Sequence, residues 1–169
     1  MELKRYTKHI LSEEDQATIK NMAETISKQK REEFQKVRFD KDMPFYDMNL
    51  NGFGAELSFC RLCNVPFDSS TIENANHFNM PDCIVEPYGI IDVKTTKYKT
   101  GVLLAGKHKK ESKANAYALM VGSFPEYVFM GWAYKEELFK EENLRDLGKG
   151  TSYCLSQDRL RHILVCTNP

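Results

Sequence analysis

The sequence predicts an α/β fold with a central mixed β-sheet flanked by helices. Two observations lead to this prediction. Apolar residues recur at helical spacing near the start of the chain, and from residue 83 onward short runs of β-branched and aromatic residues alternate with turn residues. With 169 residues, the chain has the length of one domain built around a single core.

Composition narrows the classes of function. The 24 basic and 24 acidic residues give a formal net charge of zero, which excludes a polycation that coats nucleic acid unselectively. No apolar run is long enough to cross a bilayer, and the first residues lack the apolar stretch of a secretory signal. Five cysteines, an odd number, fit reduced thiols better than a disulfide framework. We therefore expect a cytoplasmic protein that does not associate with membranes.

The first predicted element is an N-terminal amphipathic helix. Ser12 has the properties of an N-cap, and three acidic residues follow it in the first turn. Ile19, Met22 and Ile26 then fall on one face. We expect this helix to continue to about Val37 and to pack on one side only.

A second helix is predicted from about Gly52 to Asn64, after a linking loop over residues 40–50 that contains Pro44. Glu56 lies on the same face of this helix as Cys60 and Cys63, which follow it by four and seven residues. A half-buried carboxylate on an apolar stripe needs a partner, so Glu56 is a candidate site residue.

The remaining elements are predicted to be mostly strands. Cys83–Val85 and Ile90–Val93 are rich in β-branched residues and are separated by Glu86-Pro87-Tyr88-Gly89, which is typical of a turn. The two runs therefore predict an antiparallel hairpin. Further predicted elements are strands over residues 116–121 and 127–134, a short exposed helix over 135–142, and a short strand followed by a turn or helix between 151 and 165.

The hairpin brings together a set of charged residues. Asp92 and Lys94 share one face of their strand, because alternate residues of a strand point the same way. If the hairpin has a three-residue loop with Gly89 in the left-handed conformation, Asp82 lies opposite Asp92 on that face. Two carboxylates held together favour a divalent cation between them, and Glu56 could complete its ligand shell.

This combination of residues suits phosphodiester hydrolysis. Mg²⁺ held by a carboxylate pair polarises the phosphate and activates water, and an adjacent lysine can orient that water and offset the developing charge. An acid-x-Lys tripeptide alone has little specificity, since Glu2-Leu3-Lys4 and Glu111-Ser112-Lys113 also match. The pattern would also fit an edge strand whose Asp92 and Lys94 face water as a simple charge pair.

The motifs resemble those of the PD-(D/E)XK nuclease superfamily, in particular its small phage-type and Holliday-junction-resolvase-like members. The resemblance covers about residues 50–162, the expected nuclease core, and leaves residues 1–45 as a helical extension. The segments that carry it are Gly52-Phe53-Gly54-Ala55-Glu56, Pro81-Asp82, Asp92-Val93-Lys94-Thr95-Thr96, Tyr117-Ala118-Leu119-Met120-Val121 and Gly131-Trp132.

The resemblance implies a restriction-endonuclease-like core and a role for each site residue. Asp82, Asp92 and Glu56 would bind Mg²⁺, with Mn²⁺ able to substitute, the Val93 backbone carbonyl would add a ligand, and Lys94 would be the catalytic lysine. The expected activity is DNA hydrolysis with an endonuclease favoured, in a bacterial or phage-infected cell. Ala55 departs from the family, which usually has glycine before the helical glutamate.

A lysine-rich segment follows Lys94. Between residues 94 and 113 there are seven lysines and a single acid, Glu111, a pattern that can attract a polyanion or simply form a solvated loop. We expect it to contact the DNA backbone, with RNA left open as a substrate, and cleavage of both strands favours a homodimer. The candidate contacts are Lys97, Lys99, Lys107, His108, Lys109, Lys110 and Lys113.

Two rival functions stay open. One is a non-catalytic module that binds nucleic acid or protein on the nuclease fold, such as a phage factor acting on a host system. The other is a zinc-stabilised interaction protein, suggested by the spacing of Cys60, Cys63, His77 and Cys83. Against zinc, Cys83 should face away from the carboxylates, and buried structural thiols explain the cysteines as well.

Overall fold

The structure, a computed structural model, describes residues 1–29, 44–68, 83–148 and 150–167. In these ranges the protein has an α/β fold with a mixed sheet flanked by helices. The helices are α1 (Glu13–Gln29), α2 (Phe45–Cys63) and α3 (Lys135–Leu138). The strands are β1 (Glu2–Lys4), β2 (Lys8–Ile10), β3 (Cys83–Val85), β4 (Gly89–Thr96), β5 (Leu103–Gly106), β6 (Ala116–Ser123), β7 (Glu126–Tyr134), β8 (Leu144–Asp146), β9 (Thr151–Leu155) and β10 (Ile163–Val165).

The central sheet contains five strands in the order β2-β7-β6-β4-β3. Strand β4 is parallel to β6, and the other pairs are antiparallel. A parallel pair cannot be joined by a tight turn, so the chain crosses over between β4 and β6. This crossover contains β5 and a 3-10 helix, Lys107–Glu111.

Helix α1 begins as predicted. The Asp15 amide donates to Ser12 Oγ at 3.1 Å, which makes Ser12 the N-cap, and Ile19, Met22 and Ile26 are buried. The continuation to Val37 lies outside the described residues. Helix α1 packs on α2, and Arg61 of α2 donates to both carboxylate oxygens of Asp15 at 2.7 and 3.2 Å.

The predicted start of the second helix at Gly52 is wrong, because α2 begins at Phe45, directly after Pro44. Residues 45–50, predicted as part of a loop, are therefore helical. A proline is tolerated at a helix start, where its missing N–H has no intrahelical partner. The predicted end is confirmed: Asn64 caps the helix in the left-handed conformation, with φ of 54°.

The predicted hairpin is confirmed. Cys83 pairs with Ile91 and Val85 pairs with Gly89, so three residues connect the strands, and Gly89 has the positive φ of 79° that the turn needs. The predicted strands over 116–121 and 127–134 correspond to β6 and β7. The predicted helix over 135–142 is shorter than expected, since α3 has four residues and buries Leu138.

Several short strands were not predicted. β1 pairs with β10, β2 pairs with the edge of β7, and β5 and β8 flank β9 in a three-stranded sheet. Each has three or four residues, too few to establish a pattern, and tertiary pairing stabilises them. The predicted helical extension, residues 1–45, therefore begins with two strands, β1 and β2, that pair with β10 and β7 before helix α1 starts.

The central sheet separates two apolar layers. Ile91 and Val93 of β4 face the layer that includes α1 and α2. Tyr117 and Leu119 of β6 face the layer formed with the three-stranded sheet and α3, and Ile90 packs against it. Because residues alternate along a strand, Asp92 and Lys94 share this second face with Ile90.

Candidate active site on strand β4

Asp92 is a buried carboxylate in the middle of the central sheet. It is 6 % exposed, and its backbone pairs with Tyr117 of β6. Strand β4 lies between β3 and β6, so it is not an edge strand. The interpretation of Asp92 as a water-facing charge on a sheet edge is therefore wrong.

Lys94 forms an ion pair with Asp92, its Nζ donating to Asp92 Oδ1. The prediction that these two side chains point the same way is confirmed. The Lys94 side chain is 26 % exposed, so its ammonium group contacts the buried carboxylate and can also reach solvent. Its Nζ lies 6.0 Å from the centroid of the Tyr117 ring, within the range of a cation–π interaction.

A second lysine completes the group. Lys109 Nζ lies 3.0 Å from Asp92 Oδ2, and its side chain is 28 % exposed. The lysine-rich pattern predicted that Lys109 contacts the DNA backbone and gave no sign of its contact with Asp92. The contact depends on how the crossover folds back over β4, which no local spacing reveals.

The two lysines determine the ionisation of Asp92. Burial alone raises the pKa of the Asp92 carboxyl group, because removal from water disfavours the charged form. The ammonium groups of Lys94 and Lys109 outweigh this effect and hold the pKa below its ordinary value. Asp92 is therefore ionised at neutral pH, with a cation on each oxygen.

Tyr117 fixes the 3-10 helix Lys107–Glu111 against the sheet. The Tyr117 side chain is fully buried, and its hydroxyl group donates to the Lys109 carbonyl at 3.1 Å. The Ser112 hydroxyl lies 2.7 Å from the same Tyr117 oxygen, and Lys135 Nζ donates to the Ser112 carbonyl at 2.6 Å. These contacts define where the backbone of Lys109 lies relative to Asp92.

Among the described contacts, none brings another candidate metal ligand to Asp92. Asp82 lies outside the described residues. Glu56 lies on α2, which packs on the opposite face of the sheet, and together with burial its negative charge raises the pKa of Tyr127 in that layer. Val93 is buried with its side chain on the helical face, and the role of its carbonyl stays a prediction.

The lysine-rich segment is accessible around the site. Six of its seven candidate nucleic-acid contacts are exposed, namely Lys97, Lys99, Lys107, His108, Lys110 and Lys113. Lys110 lies 3.8 Å from Glu141 and packs its ammonium group over the Tyr153 ring at 5.9 Å. Lys109 differs from the other six because it is half-buried against Asp92.

The cysteines form contacts within the core. Cys60 and Cys83 are buried thiols outside any disulfide, with their sulfurs 3.1 Å apart, and Cys63 hydrogen-bonds Cys166. Cys83 belongs to the helical layer, which confirms that it faces away from Asp92. His77 lies outside the described residues. Within residues 1–29, 44–68, 83–148 and 150–167, no three histidine, cysteine or acidic side chains are placed so as to hold a metal ion.

Comparison of the chain with protein-family models, with curated proteins and with solved structures found no match. Across the described part of the chain, no helix combines the length and apolar character needed to span a membrane. A functional assignment therefore depends on the residues around Asp92 and their chemistry.

Proposed function

We propose that this protein is a metal-dependent nuclease with a restriction-endonuclease-like core of the PD-(D/E)XK type, which hydrolyses DNA phosphodiester bonds and favours internal cleavage. The observation that supports the proposal best is the buried, ionised Asp92 with Lys94 on the same strand face. A buried charge is costly, and proteins retain such charges where they are paired or where function requires them.

The geometry suits a site for a phosphate and a cation. Both oxygens of Asp92 already bind positive groups, Lys94 on one and Lys109 on the other, so this carboxylate lies where cations are stabilised. The proposed ligands of Mg²⁺ are Asp92, Asp82, Glu56 and the Val93 carbonyl, and Mn²⁺ should substitute. Of these proposed ligands, the described residues place Asp92 in the site. Asp82 is assigned by the sequence motif alone.

Lys94 would contribute to the chemistry directly. Its ammonium group is anchored on Asp92 and reaches solvent, so it can orient a water and stabilise charge on the phosphoryl oxygens. The water oxygen forms a bond to phosphorus and gives up a proton, the bond to the leaving sugar oxygen breaks, and that oxygen takes up a proton. When bound, Mg²⁺ supplies further polarisation of the phosphate.

The exposed lysines around the site would hold the DNA backbone. Contacts of this kind give affinity that falls with salt and carry little sequence information. The proposal includes a cytoplasmic location in a bacterial or phage-infected cell and a homodimer for cleavage of both strands. DNA is the proposed substrate, and RNA stays an alternative that the substrate panel tests.

The proposal can be tested with a panel of substrates and metals. Supercoiled, linear and branched DNA and a single-stranded RNA are incubated with the purified protein in Mg²⁺, Mn²⁺, Ca²⁺ or EDTA. We expect cleavage of at least one DNA substrate in Mg²⁺ and Mn²⁺, and none in EDTA. Binding without cleavage in every metal would favour the rival, a non-catalytic module on the same fold.

A further inference from the structure

Lys109 lies in the site rather than on the surrounding surface. It shares the segment Lys107–Glu111 with two exposed lysines, Lys107 and Lys110, yet its own Nζ lies 3.0 Å from Asp92 Oδ2. One carboxylate therefore has two ammonium partners. A structural ion pair needs one, so the second cation is surplus to neutralising Asp92.

The position of Lys109 is built into the fold. Its carbonyl accepts a hydrogen bond from the buried Tyr117 hydroxyl, and Tyr117 lies beside Asp92 in the parallel register of β4 and β6. Ser112 and Lys135 extend the same set of contacts. A side chain whose backbone is held in this way is preorganised, which is the property expected of a functional group.

The surplus charge points toward a phosphate. Asp92 lies beneath the two ammonium groups at 6 % exposure, whereas the Lys94 and Lys109 side chains are 26 % and 28 % exposed. An anion arriving from solvent therefore meets the lysines before it meets the carboxylate. A phosphodiester is the anion that the proposed reaction requires, and charge-assisted hydrogen bonds to its oxygens are strong.

We propose that Lys109 is a second catalytic lysine, which exchanges its bond to Asp92 Oδ2 for a non-bridging oxygen of the phosphate that is cut. This assignment rests on the proposed nuclease function. It identifies Lys109 as a residue of that site that contacts the substrate phosphate. Lys109 keeps its proton throughout and acts through its charge. It differs in this respect from the exposed lysines of its segment, which act on overall affinity.

The first test measures DNA affinity without metal, in EDTA. Asp92→Asn frees Lys109 from its partner, so this variant should bind duplex DNA several-fold more tightly than the wild type. The gain in affinity should disappear in the double variant Asp92→Asn with Lys109→Ala. The control is the double variant Asp92→Asn with Lys28→Ala, in which the gain should persist, because Lys28 is an exposed helical lysine paired with Glu24. A gain that survives Lys109→Ala would overturn the proposal.

The second test measures single-turnover cleavage in Mg²⁺ at saturating DNA. Lys109→Ala should lower the rate about a hundredfold, the size typical for loss of one group that stabilises transition-state charge. Lys109→Arg should recover part of the rate, because it restores the charge. Lys110→Ala should act mainly on affinity and reduce the salt dependence of binding by about one unit of slope. Lys28→Ala should match the wild type.

The outcomes separate the two proposals. In one outcome the wild type cuts DNA, Asp92→Asn is inactive, and Lys109→Ala cuts within about twofold of the wild-type rate, an effect of less than about 0.5 kcal/mol. The role proposed for Lys109 is then wrong, and the nuclease function stands. If the wild type cuts no DNA, both proposals fail. Thermal unfolding of each variant shows whether a lost rate reflects a lost fold.

Discussion

Asp92 is the residue on which the site depends, because it is a buried negative charge held by two positive groups. Lys94 contacts Oδ1 and Lys109 contacts Oδ2. Loss of one lysine leaves Asp92 with a partner, whereas loss of both removes the two cations that pair with this buried charge among the described residues. The energetic contributions of the two lysines to folding should therefore not be additive.

Replacement of the two lysines by methionine tests this coupling. Lys94→Met and Lys109→Met should each lower the free energy of unfolding by about 0.5–1.5 kcal/mol, the net value of a typical hydrogen bond, because the other ammonium group still pairs with Asp92. The double variant should lose about 3–5 kcal/mol, because an unpaired buried carboxylate is expensive. The measurement is urea unfolding at neutral pH.

A triple variant provides the control. Adding Asp92→Asn to the two methionine substitutions removes the buried charge, so most of the stability should return. If the double variant loses only the sum of the two single losses, within about 0.5 kcal/mol, then Asp92 is compensated by other means and the three groups do not form one unit.

The sequence revealed part of this residue-level picture. Alternation along one strand was enough to predict that Asp92 and Lys94 share a face, because the pattern is local. Lys109 could not be connected with Asp92, since the contact requires the crossover to fold back across the sheet. Glu56, which the family motif joined to Asp92, lies beside Tyr127 on the helical side of the sheet, and its role as a metal ligand stays a prediction.

At the scale of elements, helix α2 shows how packing overrides local preference. Two glycines lie within it, and sequence reasoning treated the first as a helix start. Gly54 is needed because a Cβ at this position would lie 2.4 Å from Tyr127 Oη and 3.1 Å from Tyr127 Cζ. Tyr127 is fully buried and donates to the Asn51 carbonyl, so its ring cannot move aside easily.

The two glycines form a matched pair for mutation. Gly54→Ala should lower the free energy of unfolding by about 1–3 kcal/mol, the usual cost of overpacking a core. Gly52→Ala should raise it by about 0.5–1 kcal/mol, since no atom lies within 4 Å of the added methyl group and alanine favours the helix. Urea unfolding measures the free energy of unfolding of both variants. A Gly54→Ala variant more stable than the wild type would contradict the close packing against Tyr127.

The elements that sequence reasoning predicted are those with strong internal patterns. The apolar face of α1 and the β-branched and aromatic runs of β4, β6 and β7 are long enough to be recognised. Strands β1, β2, β5 and β8 have three or four residues each and exist through their partners. The start of α2 was missed because Pro44 and the two glycines are residue types typical of a loop.

At the scale of the whole molecule, the central sheet separates a helical layer from the proposed active site. One face carries α1 and α2 over an apolar layer, and the other carries Asp92, Lys94 and the crossover with its lysines. The chain is neutral overall, yet the crossover carries an excess of positive charge and brings Lys109 to Asp92. A field of this kind can direct a polyanion to the site without making the whole protein basic.

The most direct test of the central claim compares wild type, Asp92→Asn and Lys94→Ala side by side. Supercoiled plasmid or the best substrate of the panel is cut in Mg²⁺ under single-turnover conditions, with circular dichroism to verify the fold. The wild type should cut, and both variants should be slower by about a hundredfold or more while remaining folded. Cutting by either variant at the wild-type rate would contradict the assignment of Asp92 and Lys94 as the active site.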